Sequence, residues 1–238
     1  MTALSSGRRD LIVTMVALAA LLCWDASGLD LAAARLYGSA QGFGLRDHWL
    51  TATLLHEGGR WAAWLTLAAV GLALWRVPRP GQPPRALRLR WLGVMLLCIV
   101  AVPALKRFSL TSCPWDLAEF GGVAAYVSHW TLGVADSGSG RCFPSGHAVA
   151  AFAFLGMHFM WRSHSQRRAR VWLVAVLAAG LVFGLAQLLR GAHYPSHTLW
   201  SAWLCWTVCV LACRLPSITG RKVRQSARAK RAAPLTGH

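Results

Sequence analysis

The sequence predicts an all-α protein: a six-helix transmembrane bundle with an extracytoplasmic-facing active site. Three observations carry that prediction. The 238 residues are 55% hydrophobic and only 14% charged, whereas a soluble domain carries about a quarter charged residues. The apolar residues gather into long runs, and roughly 17–25 mostly apolar residues are what a helix needs to cross the hydrocarbon layer. The 25 Lys and Arg, against 8 acidic residues, concentrate in alternate segments between those runs, as expected where basic residues stay on the cytoplasmic side. Thirteen tryptophans fit the same pattern, because indole rings favour the membrane–water interface.

The runs follow in order. The first covers residues 11–26 and ends softly near Trp24 and Asp25. An outer segment, 28–59, follows, with a short interfacial helix expected over 30–37. The second run, 61–75, leads into a linker whose Pro78, Pro80, Pro83 and Pro84 exclude continuous helix. The third covers 91–105. The longest polar excursion, 106–143, comes next and contains Asp136-Ser137-Gly138-Ser139-Gly140, expected to be flexible. Loops beyond about 12–15 residues are mostly functional or disordered, and this one carries reactive side chains at both ends. The fourth run starts just after Pro144 and reaches Trp161, the fifth covers 171–189 and the sixth 198–215. Backbone in a bilayer satisfies its own hydrogen bonds, so all six are read as helices.

With a cytoplasmic N-terminus, 18 of the 25 basic residues fall inside and seven outside. The expected location is a bacterial inner membrane, with both termini cytoplasmic and the 106–143 loop periplasmic. Arg8 and Arg9 before the first run also fit a cleaved secretory signal; a retained span is preferred. Residues 1–215 form one membrane domain. The basic tail, 216–238, is expected to be disordered and to lie against anionic headgroups rather than to bind nucleic acid.

Three outward segments carry the chemistry: Lys106 to Pro114, Pro144-Ser145-Gly146-His147, and Arg190 to His197. Ionisable residues at membrane depth are costly and point to function. The set suits an anion with several charged oxygens, since Lys and Arg neutralise charge that spreads in phosphoryl transfer. Ser-Gly at a helix start offers a hydroxyl, free N–H groups and a favourable dipole. Two histidines divide nucleophilic attack from proton donation. Neither a metal nor another cofactor is needed, and the expected partners are a lipid phosphate and the bilayer.

Blander readings exist for each residue. Lys106 and Arg107 suit a helix anchor, and Arg190 suits an interfacial side chain. His193 and His197 have the spacing of metal ligands on a helix, which Pro195 between them disfavours. His56-Glu57-Gly58-Gly59 is read as an ordinary helix start rather than as site lining. The ordered occurrence of three clusters outweighs the others.

Together the clusters resemble the motifs of the type-2 phosphatidic acid phosphatase superfamily, which includes bacterial lipid phosphatases and is related to vanadium haloperoxidases. Its first motif, Lys, six residues, Arg-Pro, is matched by Lys106 and Cys113-Pro114. Pro-Ser-Gly-His stands intact from Pro144 to His147. In the third motif, Ser-Arg, five residues, His, three residues, Asp, His193 takes the fixed histidine. The resemblance implies that His193 is the nucleophile, forming a phosphohistidine, and His147 the general acid. It implies that Lys106, Ser145 and the Gly146 N–H hold phosphate oxygens. Gln187 occupies the third-motif Arg position, and Arg190 is expected to supply that charge. Cys113 replaces the first-motif Arg, for which Arg107 or Arg141 is a candidate substitute. His197 stands where the family has the Asp that fixes the nucleophile's tautomer; Asp116 is the candidate replacement.

The implied reaction is hydrolysis of a phosphomonoester or pyrophosphate on a membrane lipid. A lipid-to-lipid phosphotransferase and a non-catalytic lipid-binding or transport protein are the alternatives. Of the seven cysteines, only Cys113 and Cys142 lie in the outer loop. An oxidising periplasm lets them pair, closing about 30 residues for a gain of roughly 3 kcal/mol.

Overall fold

The computed structural model describes residues 5–215, so the predicted basic tail lies outside the described residues. Helix α1 (Ser6–Ala26) turns sharply into α2 (Leu29–Arg35), the two axes meeting at 64°. A small antiparallel hairpin pairs Gly38–Ser39 with Gly42–Phe43. A π-helix, Trp49–Gly58, then runs without a break into α3 (Gly59–Trp75). Helix α4 (Arg85–Lys106) ends at the first cluster. The remaining helices are α5 (Val149–Phe152), α6 (Leu155–Trp161), α7 (Gln166–Leu189) and α8 (Pro195–Arg214). Helices α4, α7 and α8 are each long and apolar enough to cross a membrane, and α1 with α2 makes a fourth such segment if the bent pair is one span.

The fourth predicted run is not a single helix. Between α5 and α6 the backbone bonds tighten to three residues, with Phe154 N–H donating to Ala151 O at 3.1 Å and Met157 N–H to Phe154 O at 2.9 Å. Short tightened turns of this kind interrupt helices locally. This broken segment is the centre of the bundle. Phe152, Leu155 and Met160 are buried with Trp91 and Met95 of α4, Val176 of α7 and Cys205 of α8. Large apolar side chains such as Leu65, Leu72, Val174 and Leu181 face outward instead.

Local chemistry sets the ends near the site. Helix α7 is capped, at its end away from the site, by Ser165, whose hydroxyl accepts the Arg168 N–H at 3.3 Å. It stops at Gly191, whose φ of +70° gives the left-handed turn that ends many helices. Pro195, with no N–H to leave unpaired, opens α8 in the first turn. Asp30 on α2 accepts from the Ser196 N–H at 3.0 Å, from the Ser196 hydroxyl, and from the Trp24 indole at 2.8 Å. At the opposite end, Arg162 forks onto buried Asp10 at 2.7 and 2.8 Å, tying the end of α6 to α1.

The 106–143 loop is organised around Asp136, in the stretch expected to be flexible. Its buried carboxylate accepts from the Ser112 N–H and hydroxyl at 2.5 and 2.7 Å and from the Gly138 N–H at 3.0 Å. Cys142 N–H donates to Thr111 O at 2.9 Å. The loop's two ends therefore run side by side, and Cys113 and Cys142 form a disulfide with Cα atoms 5.2 Å apart.

Candidate active site

The second and third clusters are joined through their backbones. Ser145 N–H donates to His197 O at 3.1 Å, and the Ser201 hydroxyl lies 2.8 Å from Ser145 O and 3.0 Å from His197 O. The first cluster is tied to the third by Trp115 N–H donating to Gly191 O at 2.9 Å. Segments far apart in the chain thus share one site. The ring centroids of His147 and His193 lie 5.9 Å apart. That spacing accommodates one phosphate: attack needs reacting atoms about 3–3.5 Å apart, and an acid needs about 2.6–3.2 Å to the leaving oxygen.

Lys106 is half-buried beside the Ser-Gly turn, its Cδ 3.9 Å from where a Gly146 Cβ would stand. Ser145 is fully buried, and its hydroxyl accepts the Ala148 N–H at 3.4 Å. The Gly146 N–H meets no acceptor among the described residues. Arg190 is buried as well; its Nε donates to Arg46 O at 2.9 Å, while Nη1 has no partner among the described residues. A buried guanidinium N–H without an acceptor is costly, and an anion would satisfy it.

His193 is fully enclosed. Burial, then the neighbouring His197, Lys106 and His147, holds its imidazole well below the ordinary pKa. A neutral ring is the form that attacks phosphorus. Its Nδ1 lies 3.4 Å from Cys142 Sγ. His197, also fully buried, sits 5.7 Å from His193 by ring centroids, and neither of its ring nitrogens has a partner among the described residues. Asp116 does not take the role expected of it. Its carboxylate accepts from Cys113 N–H at 3.3 Å and from the Ser139 hydroxyl at 2.7 Å, a short local turn, and none of its hydrogen bonds reaches His193. Arg107 and Arg141 are exposed and donate no side-chain hydrogen bond among the described residues.

Carboxylate enters this side of the site from the α1–α2 elbow instead. Asp25 Oδ2 lies 3.3 Å from His129 Nε2 and accepts from the Trp130 and Trp200 indoles at 2.9 and 2.8 Å. His129 stacks on Phe143 at 4.1 Å and stands 5.8 Å from His197. Burial lowers the His129 pKa, with Asp25 opposing.

A second histidine joins His147. His56, in the last turn of the π-helix, has its Nε2 2.6 Å from His147 Nε2 and its Nδ1 3.1 Å from Glu57 Oε1. The Arg190 and Arg60 charges and the Glu57 carboxylate all lie close enough to act on His56. Beside this pair lies an apolar cavity of about 260 Å³, lined by Leu67, Ile99, Phe183, Gln187 and both imidazoles. Sequence reading took His56 for an ordinary helix start and Asp25 for the end of the first run, and passed over His129, which no motif marks within the 106–143 loop.

The model of the PAP2 superfamily matches residues 88–220, more than half of the chain and all three clusters. The chain belongs to the PAP2 superfamily. Neither a curated protein nor a solved structure matches it. PAP2 membership implies phosphatase or phosphotransferase activity and agrees with the membrane-type helices. The PAP2 match begins inside α4, so Asp25, Asp30 and His56 belong to the part of the chain outside it. Cys113, Cys142 and His193 also offer three atoms within 4.8 Å of one another, but sulfurs joined in a disulfide are not the thiolates that bind metals.

Proposed function

We propose that this protein hydrolyses a phosphomonoester or pyrophosphate on a membrane lipid through a phosphohistidine at His193. The observation that carries the reading is the meeting of His147 and His193, 5.9 Å apart, beside Lys106 and the Ser145-Gly146 turn. In the first step the neutral His193 attacks phosphorus, the bond to the lipid oxygen breaks, and His147 gives that oxygen a proton. In the second, water attacks phosphorus, His147 takes its proton, and the phosphorus–nitrogen bond breaks to release phosphate. Lys106, Ser145, the Gly146 N–H and Arg190 hold the phosphate oxygens, where fixed donors stabilise spreading charge. The lipid chain occupies the apolar cavity beside His147. The charge distribution supports six spans in an inner membrane, cytoplasmic termini and a periplasmic site. The broken α5–α6 segment then counts as the fourth span and α3 with its π-helical extension as the second.

The test is phosphate release by purified protein from a panel of lipid phosphates and pyrophosphates, with a chelator present. Turnover is expected without metal and is expected to fall at least about 1,000-fold in His193→Ala, in line with the loss of a nucleophile. Unchanged turnover in that variant would remove the phosphohistidine at His193, and no turnover by the unaltered protein on any lipid phosphate would leave a lipid-binding protein. Label passing to an added acceptor lipid instead of water would identify the phosphotransferase.

A further inference from the structure

We infer that His56, oriented by Glu57, is the proton partner of His147, a positioning residue that fixes which ring nitrogen of the general acid faces the leaving group. The inference rests on the reading of His147 as that acid. Two imidazole nitrogens 2.6 Å apart hold one proton between them, so one ring donates and the other accepts. Glu57 decides which. Its carboxylate only accepts, so the 3.1 Å contact places a hydrogen on His56 Nδ1. The neutral His56 then accepts at Nε2, and His147 carries the hydrogen at its own Nε2. The remaining nitrogen, His147 Nδ1, is buried without a protein partner among the described residues. It is the atom left to serve the leaving oxygen.

The proton count closes. Protonated His147 gives its Nδ1 hydrogen to the lipid oxygen as the phosphorus–oxygen bond breaks and the bond to His193 forms. It keeps its Nε2 hydrogen, shared with His56, throughout. In the second step Nδ1 takes the hydrogen from the attacking water. His56 thus does for the acid one thing that a carboxylate does for a catalytic imidazole: it fixes one tautomer. Lys106, Arg190 and Arg60 surround the pair with positive charge. Glu57, itself paired with Arg60 at 2.6 Å, supplies negative charge against them.

The backbone is built for this contact. His56 sits on a ten-residue π-helix, a rare geometry found mostly at functional sites. At Gly59 any Cβ would stand 2.7 Å from the Phe183 ring, so a bare glycine lets α3 close on α7 at the level of the imidazoles. Both rings also line the cavity assigned to the leaving lipid.

The experiment compares two leaving groups. A short-chain phosphatidic acid needs its oxygen protonated as it departs; p-nitrophenyl phosphate does not. In His56→Leu, kcat on the lipid is expected to drop about 100-fold, the lower end of what acid catalysis contributes, against about threefold or less on the aryl ester. His56→Gln, whose amide oxygen accepts from His147, is expected to recover part of the lipid activity. Glu57→Gln is expected to show a smaller loss with the same selectivity, and it carries the comparison if His56→Leu does not fold. Equal losses on both substrates, or none on either, would overturn the inference while leaving the phosphatase reading intact. A wild type inert towards every phosphate ester would overturn both.

Discussion

His193 is oriented by packing rather than by a carboxylate. Cys142 Sγ abuts its Nδ1 and His197 stands beside it, so the disulfide is part of the wall that holds the ring. His197 and then His129 stand between that ring and Asp25. Alkylation of the denatured protein is expected to label five thiols before reduction and seven after it, matching five free cysteines and one bridge. Seven labels without reductant would refute the pairing. The family was legible because Pro144 to His147 stand together as one intact motif in the chain. His56 was not: it is 91 residues from the ring it touches, and no periodicity announces a π-helix. Asp116 failed as a substitute because a carboxylate so close to Cys113 closes a local turn first.

The fifth run was read to end at Leu189, where α7 ends, but the sixth was begun at 198, three residues after Pro195 opens α8. The break between α5 and α6 was hidden because that stretch is apolar all round, so nothing in its pattern marks a turn. The Asp10–Arg162 fork is the matching case for pairing between elements, joining residues 152 apart. Asp10→Ala is expected to destabilise the protein by up to about 3 kcal/mol, because Arg162, partly buried, would lose its counter-charge. Replacing both partners with apolar residues should cost less. Thermal unfolding in detergent measures both; an unchanged midpoint in Asp10→Ala would deny the fork any role in holding α1 to α6.

Across the whole molecule, several imidazoles are buried in their neutral form. Burial is the leading cause that holds the His193 and His129 imidazoles below the ordinary value of 6.5. The unfolded chain therefore binds more protons than the folded one as pH falls below 6.5. Stability is expected to be full above that value and to decline below it, seen as a lower unfolding midpoint at about pH 5.5 than at about pH 7.5. His193→Gln should weaken that dependence, and a pH-independent midpoint would count against neutral burial. The membrane class and the alternation of charge were legible from composition because the bilayer imposes them on every segment. The inward grouping of distant polar residues was not, since it depends on which helices touch.

The elbow between α1 and α2 has a consequence for the whole assembly. Trp24 and Asp25, at the end of the first hydrophobic leg, grip Asp30, His129, Trp130 and Trp200. That leg is a keystone, not a tether. A chain shorn of it would keep every family motif and lose the masonry that sets them in place.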